Sequence, residues 1–498
     1  MSRIILVPSS ALSAKNRFIY FAGQFNKLPS SLGGLLGAAA RLPLLRSLLP
    51  VAPSGIFCQA LQPSRLSRPI SESADEIDRQ REREDCLDES VESFVKRHFG
   101  DRFGSRFLDN LLSAVLHGIY AADTKQLSAR STLPFLWETE QRHGSLMRAL
   151  LPLKWNRHYR EPSRADKEVE AEDLAALVKA KAIVGEDWTT KLEKASVFSL
   201  KGGLGDITQA MVAELKRGRN LSLRTSDTIE AILRSRDGAG LCLQTCSGED
   251  VLVQRLVSTI PSRELANILG SHSKRAEGQA RLQIGRSLLA VLRHNPSTDV
   301  GVVSFAIPHS TLPEAQRNSR LIKIDEAFGF LIPRAETPNN PDGILGVVFD
   351  SDAIPGQDEV NEGEGVTKLT VMLGGPYLSS RPLPSDDECR ERAVRALDHF
   401  LSIPCSISTH PDTVVRSRMQ PACIPTYLPG HYSRMRRLHE ELRNSVDGLI
   451  AVTGASYTGV SVNDVVHQAR RIAERIAREG RRRGAGCVTT GLEMFVAE

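Results

Sequence analysis

The residues best placed to do chemistry lie near the carboxyl end, in GLIAVTGASYTGVSVNDVVHQARRIAERI (Gly448–Ile476). GLIAVTG has the composition of a buried parallel strand. GASYTG permits a tight turn and a close approach of backbone to a ligand. Beyond it Val462, Val465, Val466, Ala469, Ile472, Ala473 and Ile476 share one helical face, and His467, Arg470, Arg471, Glu474 and Arg475 share the other. A helix starting there turns free N–H groups and its positive dipole end toward whatever sits over the turn. That suits an anionic or electron-rich group, such as the carbonyl edge of a reduced flavin. Strand–glycine–helix junctions without a ligand are also common, and the motif alone leaves both readings open.

Little else in the chain suggests chemistry done by side chains. No Ser/His/Asp set or carboxylate pair stands out. The eight cysteines (Cys58, Cys86, Cys242, Cys246, Cys389, Cys405, Cys423, Cys487) form no CxxC pair, and the twelve histidines show no zinc spacing. Free thiols in a reducing compartment and no metal site are expected. A net charge of +5 on 498 residues is too small to argue for nucleic acid.

The elements that would hold the turn divide the chain. A length of 498 residues implies two or three interlocked domains. RIILVP and NRFIYF read as strands. From Leu87 to about Lys191 the pattern is helical, with Phe94, Phe99, Phe103, Phe107, Leu111 and Val115 as a core-facing stripe. SVFSLKGGLGDITQAMVAELKRG gives a strand, a double glycine and a helix with Leu204, Ile207, Met211, Val212 and Leu215 inward. TIEAILRSR, GLCLQTC and VLVQRLVSTIP, joined by DGAG and SGED, form a β-meander. Further strands are expected at SLLAVLRHN, VGVVSFAIP, FGFLIP, ILGVVFDSD and KLTVMLGGPY, with a helix at DECRERAVRALDHFLSI. Residues 1–71 carry no Asp or Glu against eight Lys and Arg. Their apolar stretch Ser31–Phe57 reads as a buried helix hairpin or as a basic segment lying on a membrane surface. The alternation of the first residues argues against a targeting helix.

AVTGASYTGVSVND resembles the C-terminal flavin motif of the protoporphyrinogen oxidase family. AKNRFIYF, GIYAADTKQLSARSTLPFLWETEQRHGSL, SLKGGLGDI, FGFLIPRAETPNNPDGILGVVFDSDAIPGQD, TVMLGG and IPTYLPGHYSRM resemble other blocks of that family, in order, over about residues 1–478. The likeness is to a eukaryotic, fungal-type member. It implies a mixed α/β (α+β) fold: a Rossmann-like FAD-binding domain of the amine-oxidase-like type, a mixed-sheet substrate domain and a helical membrane-contacting domain. The corresponding boundaries are 1–24 with 263–440 for substrate, 25–190 for the helical part and 191–262 with 441–478 for FAD, then a basic tail at 479–498. The implied activity is a six-electron oxidation of protoporphyrinogen IX, with FAD accepting hydride equivalents and O2 becoming hydrogen peroxide. The flavin carries that chemistry, so no catalytic side chain is required.

Residue by residue, Arg17 matches the family arginine that pairs with a substrate propionate. Phe328, Leu331, Val348 and Met372 match the apolar walls of the macrocycle. Val460, Ser461 and Val462 match backbone contacts at the flavin edge, and Tyr432 stands where relatives often carry tryptophan. Ile229 corresponds to a backbone contact at the adenine end. Spacing alone would read Arg17 as a surface residue and the apolar four as core. The resemblance also implies a membrane surface, a homodimer and ferrochelatase as partners, and a peripheral place on the mitochondrial inner membrane.

One family feature is missing. No G-x-G-x-x-G turn follows a strand here: GGLLGA (Gly33–Ala38) follows none, and GGLGDI belongs to another block. Aligned to relatives, Met1 falls several dozen residues inside the usual start. Two expectations follow: an ordinary enzyme whose gene model is incomplete, or a chain that holds porphyrin without oxidising it. A different amine-oxidase-like flavoenzyme is disfavoured by the Arg17, FGFLIP and TVMLGG blocks.

Overall fold

The computed structural model describes residues 3–28, 44, 47, 88–146, 164–271, 282–314, 320–324, 326–357, 365–379, 381–481 and 488–496, the side chains of 164–170 and of 480–481 excepted. The apolar stretch Ser31–Phe57 lies outside them except for Leu44 and Ser47. The acidic run before residue 88 and the basic stretch 482–487 lie outside them too.

In chain order the first elements are β1 (Ile4–Pro8), β2 (Arg17–Phe21) and β3 (Gln24–Lys27), followed by the helices α1 (Val91–Phe107), α2 (Ser113–Tyr120), α3 (Pro134–His143), α4 (Arg164–Val184) and α5 (Glu186–Lys194). Then come β4 (Ala195–Leu200), α6 (Gly205–Leu215), β5 (Ile229–Arg234), β6 (Leu241–Thr245), β7 (Asp250–Val253), β8 (Leu256–Ser258), α7 (Ser262–Gly270) and α8 (Arg286–His294). The remainder is β9 (Ser297–Pro308), β10 (Gly329–Leu331), β11 (Ile344–Val348), β12 (Val366–Gly374), α9 (Asp386–Leu401), β13 (Val414–Pro425), α10 (His431–Asn444), β14 (Ile450–Val452) and α11 (Val462–Arg481).

The largest assembly is a seven-stranded mixed sheet in the order β13-β9-β12-β11-β10-β2-β3. Alternation decides its faces. Phe330, Val347, Leu369, Val371, Val303 and Phe305 point to one side and close a core with Ala393, Leu397 and Phe400 of α9. A capping box of Ser385 and Glu388 starts that helix. A second core joins the expected meander β5-β6-β7 to α7, α8, α10 and the parallel pair β14–β8. Tail residues 488–496 share it. Val452 donates to the Thr490 carbonyl at 2.8 Å, while Leu492 and Phe495 are buried. A third core unites α1, α2 and α3 around Phe94, Leu108, Leu116 and Trp137. There Arg97 grips Glu140 with two hydrogen bonds, 2.7 and 2.9 Å, and His98 lies 3.1 Å from it. Burial raises the Glu140 pKa, but the bonds from His98 and Arg97 outweigh it and bring it down to about 2.

Two expectations differ from the structure, and a third helix shows a packing the sequence left open. SLLAVLRHN is not a strand but helix α8, because Leu288, Val291 and Leu292 fall at helical spacing and are buried together. On α6 the stripe faces outward: Leu204, Met211 and Leu215 are exposed, while Ile207 and Val212 are half-buried. On α11 both faces are partly packed, Ile472 of the apolar stripe being buried as well as Arg471 of the polar one. Arg470 reaches Asp173 of α4 at 3.1 Å and Arg478 reaches Glu172 at 3.0 Å, so Arg471 is buried and Val462 (56%) and Val466 (60%) are exposed.

Candidate functional site

Strand register assembles the first half of the site. On the face of the large sheet opposite α9, one row of paired residues runs Arg17, Gly329, Val348, Thr370, Ser304, Arg416. The next row runs Ile19, Leu331, Gly346, Met372, Val302, Arg418. Helix α2 covers part of the second row. Ala114 packs with Ile19 and Leu331, Gly118 lies against Leu331, and Ala121 packs with Leu345, Met372 and Tyr377. In the first row Val348, Thr370 and Ser304 are half-buried, Gly329 is buried, and Arg17 and Arg416 at its two ends are exposed.

Arg17 ends that row. Its guanidinium stands 5.4 Å from the Phe328 ring centroid, and no carboxylate among the described residues lies within ion-pair distance. Gly329 makes this possible: its φ of 146° is out of reach for L side chains, and an added Cβ would overlap the Val347 carbonyl. Arg17, Leu331, Val348 and Met372 therefore share one face of one sheet, with Phe328 beside Arg17 just before β10.

Arg334 fixes the cover to the sheet. It binds Glu92 of α1 at 3.1 Å and Asp123, just beyond α2, at 3.3 Å. His117 on α2 is buried with its ring against Tyr377, 5.7 Å between centroids. Burial pushes its pKa down to about 4, so it is neutral at physiological pH.

The second half of the site is the turn Gly454–Thr458. It leaves the parallel strands β14 and β8, held by a Thr453 amide bond to Ser258 (3.0 Å) and a Ser262 amide bond to the Ser456 hydroxyl (3.1 Å). Two stacked rings clamp it from below. Tyr427 and His431 lie 4.3 Å apart at 21°. The Tyr427 hydroxyl donates to the Ala455 carbonyl, and His431 Nε2 lies 2.8 Å from the Tyr457 carbonyl. Burial pushes the His431 pKa down to about 4. The neutral ring must then carry its proton on Nε2, and Nδ1 faces Asn295 Nδ2 at 3.3 Å.

Ser461 caps α11. Its hydroxyl accepts from the Asp464 amide at 3.1 Å, and its own amide donates to the Asp464 carboxylate at 3.2 Å. The helix thus uses the Ser461 amide itself, and the Val462 and Asn463 amides have no partner within the helix. Asp464 also lies close enough to Tyr120, the last residue of α2, to raise its phenol pKa after burial has done so. That charge effect sets the start of α11 in the neighbourhood of the end of α2. Val460 is half-buried, and Ser461 and Val462 are exposed at this helix start. Tyr432 packs into the second core, edge-on to Phe495 at 4.9 Å and under Arg130 at 4.0 Å. Ile229 opens β5 in the separate three-stranded sheet.

The turn's chemistry fits a flavin edge. Asn295 Oδ1, Thr453 Oγ1, Tyr457 Oη and Thr458 Oγ1 are buried there without a partner among the described residues. Such groups are costly unless a ligand with donors and acceptors pairs them. Sequence reasoning missed His431, Tyr427, Asn295, Ser304 and Thr370. Only folding brings them to the site, and no spacing signal marks them.

A parallel strand, tight turn and helix start, set beside an apolar sheet face under a helical cover, define a flavin-dependent oxidoreductase. The model of the flavin containing amine oxidoreductase family matches residues 7–477, and the chain belongs to that family, whose cofactor here is FAD. Among its members the chain is similar to the protoporphyrinogen oxidases. It is 28% identical over 479 residues to that of Schizosaccharomyces pombe, covering 95% of this chain and 81% of the relative. It is 27% identical over 488 residues to that of Homo sapiens, with coverage of 95% and 81%. The structure of a putative protoporphyrinogen oxidase from Exiguobacterium sp. 255-15 shares the fold, with a TM-score of 0.61 at 20% identity over 96% of this chain and 82% of that one.

Proposed function

We propose that the chain oxidises protoporphyrinogen IX to protoporphyrin IX, passing six electrons through FAD to three molecules of O2 and releasing three of hydrogen peroxide. The observation that carries this reading is Arg17: a guanidinium with no carboxylate partner among the described residues, at the end of a broad apolar face. A flat macrocycle needs apolar walls and its propionates need a planar cation. Phe328, Leu331, Val348 and Met372 would supply the walls, and Arg17 would hold a propionate by paired charge-assisted bonds. FAD, when bound, supplies the hydride acceptor. The protein's part is to hold its ring edge at the Val462 and Asn463 amides, to keep the turn rigid through His431 and Tyr427, and to exclude competing oxidants.

The test is aerobic turnover of protoporphyrinogen IX by FAD-loaded protein, with porphyrin fluorescence and peroxide read together. Three peroxides per porphyrin support the proposal. Flavin-loaded protein that binds porphyrin and forms none from porphyrinogen leaves the porphyrin-binding alternative.

The same reading places the protein peripherally on the mitochondrial inner membrane, as a homodimer in contact with ferrochelatase. Exposed Phe135 (77%) of α3 and Ile183 (83%) of α4 support a membrane-facing helical part. No described helix is long and apolar enough to cross a membrane. Alkaline carbonate should release the protein from isolated mitochondria, and a protein that never sediments with them would overturn this placement.

A further inference from the structure

The polar side chains on the site face form a directed chain. The Thr370 hydroxyl donates to Asp350 Oδ2 at 2.7 Å. A hydroxyl has one proton, so the 3.1 Å contact between Thr370 and Ser304 must have Ser304 as donor. Ser304 then has no proton left to give, and its oxygen meets the open side of the face as an acceptor only.

Position makes this matter. Thr370 pairs with Val348 on one side and with Ser304 on the other, and Met372 pairs with Val302 in the adjacent row. At about 4.8 Å per strand, Ser304 lies roughly 19 Å of backbone spacing from Arg17. The side chain of Arg17, a propionate arm and half a macrocycle fill that gap. A tetrapyrrole held by an Arg17 side chain extended along this row would bring its centre toward Thr370 and Ser304.

We infer that Ser304, oriented by Thr370 and Asp350, accepts hydrogen bonds from the pyrrole N–H groups of the reduced macrocycle and so distinguishes porphyrinogen from porphyrin. This rests on the reading of the substrate given above. Porphyrinogen has four pyrrole N–H groups and saturated methylene bridges. Its rings tilt independently, and several N–H groups can converge on one acceptor at the face. In porphyrin the macrocycle is planar, two nitrogens have lost their protons, and the remaining N–H bonds point into the ring. An acceptor on the face then gains nothing, which favours release of product. Ser304 is the specificity-determining residue. Thr370 and Asp350 are positioning residues, because they act only through the direction of its proton.

Anaerobic dissociation constants of protoporphyrinogen IX and protoporphyrin IX on protein loaded with fully reduced FAD, which has no capacity to accept hydride, test this without turnover. Ser304→Ala should weaken porphyrinogen binding about fivefold, the worth of one ordinary hydrogen bond, and leave porphyrin binding within about twofold. Thr370→Val, which frees the Ser304 proton, should cost about two- to threefold for porphyrinogen alone, and the double variant no more than Ser304→Ala. Ser304→Thr keeps the hydroxyl and should restore wild-type preference. Equal losses for both tetrapyrroles, or no loss for either, overturn the inference. A wild type that binds porphyrinogen with this preference yet fails to oxidise it sinks the oxidase reading alone. A wild type that oxidises porphyrinogen while Ser304→Ala binds it normally sinks the recognition alone. A wild type that binds neither tetrapyrrole overturns both.

Discussion

Two residues set the behaviour of the two half-sites. Arg17 is exposed and has no carboxylate partner among the described residues, so its removal should leave the fold intact and be felt chiefly by an anionic ligand. Arg17→Ala is expected to raise KM for the dicarboxylic tetrapyrrole roughly 10- to 100-fold, the worth of charge-assisted bonds, and Arg17→Lys to recover part of it. Steady-state kinetics on flavin-loaded protein measures this, and an unchanged KM would remove Arg17 from the site. His431 works through its neutral form. Its pKa is near 6.5 in the unfolded chain and about 4 when folded, so the unfolded state binds the proton first. Its contribution is complete above pH 6.5 and fades as pH falls toward 4, by up to roughly 3 kcal/mol. Urea midpoints from pH 7.5 to 4.5 should therefore decline more steeply in wild type than in His431→Gln. Parallel declines would contradict the buried neutral imidazole.

At the scale of elements, the helical cover hangs on a few buried charges. Glu140→Gln leaves Arg97 without its bidentate partner in a packed interior and should cost about 3 kcal/mol, visible as a lowered denaturant midpoint. A change under about 0.5 kcal/mol would mean that water already reaches the pair. Elements also show how far the sequence could be read. β9 and β12 were legible because one face packs on α9, so burial imposes a period of two on their side chains, while β10 and β11 are short, nearly continuous apolar runs buried on both sides. SLLAVLRHN misled because a short apolar run looks alike in helix and strand until its neighbours are known. The stripes of α6 and α11 were visible, but not which of their residues would be packed. That depended on distant partners, Asp173 and Glu172 for α11. The turn of the flavin half-site was plain in its glycines, whereas Ser304, Thr370 and His431 meet the site only through strand register and packing.

For the whole molecule the two half-sites lie in different sheets, joined through α2. Tyr120 at its end approaches Asp464, while Ala114 and Gly118 cover the substrate face. FAD at 100 times its dissociation constant should stabilise the folded protein by about 2.7 kcal/mol. A thermal melt should rise by a few degrees with FAD and not with riboflavin lacking the adenylate, if the dinucleotide half contributes grip. Equal shifts would confine binding to the ring edge at the turn. The parallel pairing of β2 with β10 has a consequence in time. Asn16, beside β2, bonds the Glu326 carbonyl, 310 residues further along the chain. At about 5–20 residues per second, ribosomal synthesis takes roughly 15–60 s to deliver β10 after β2 has emerged. Through that interval the first hairpin, with Phe18, Tyr20 and Phe25, has neither its sheet nor its core. The nascent chain therefore needs a holding chaperone early, and slowing translation lengthens its most aggregation-prone stage.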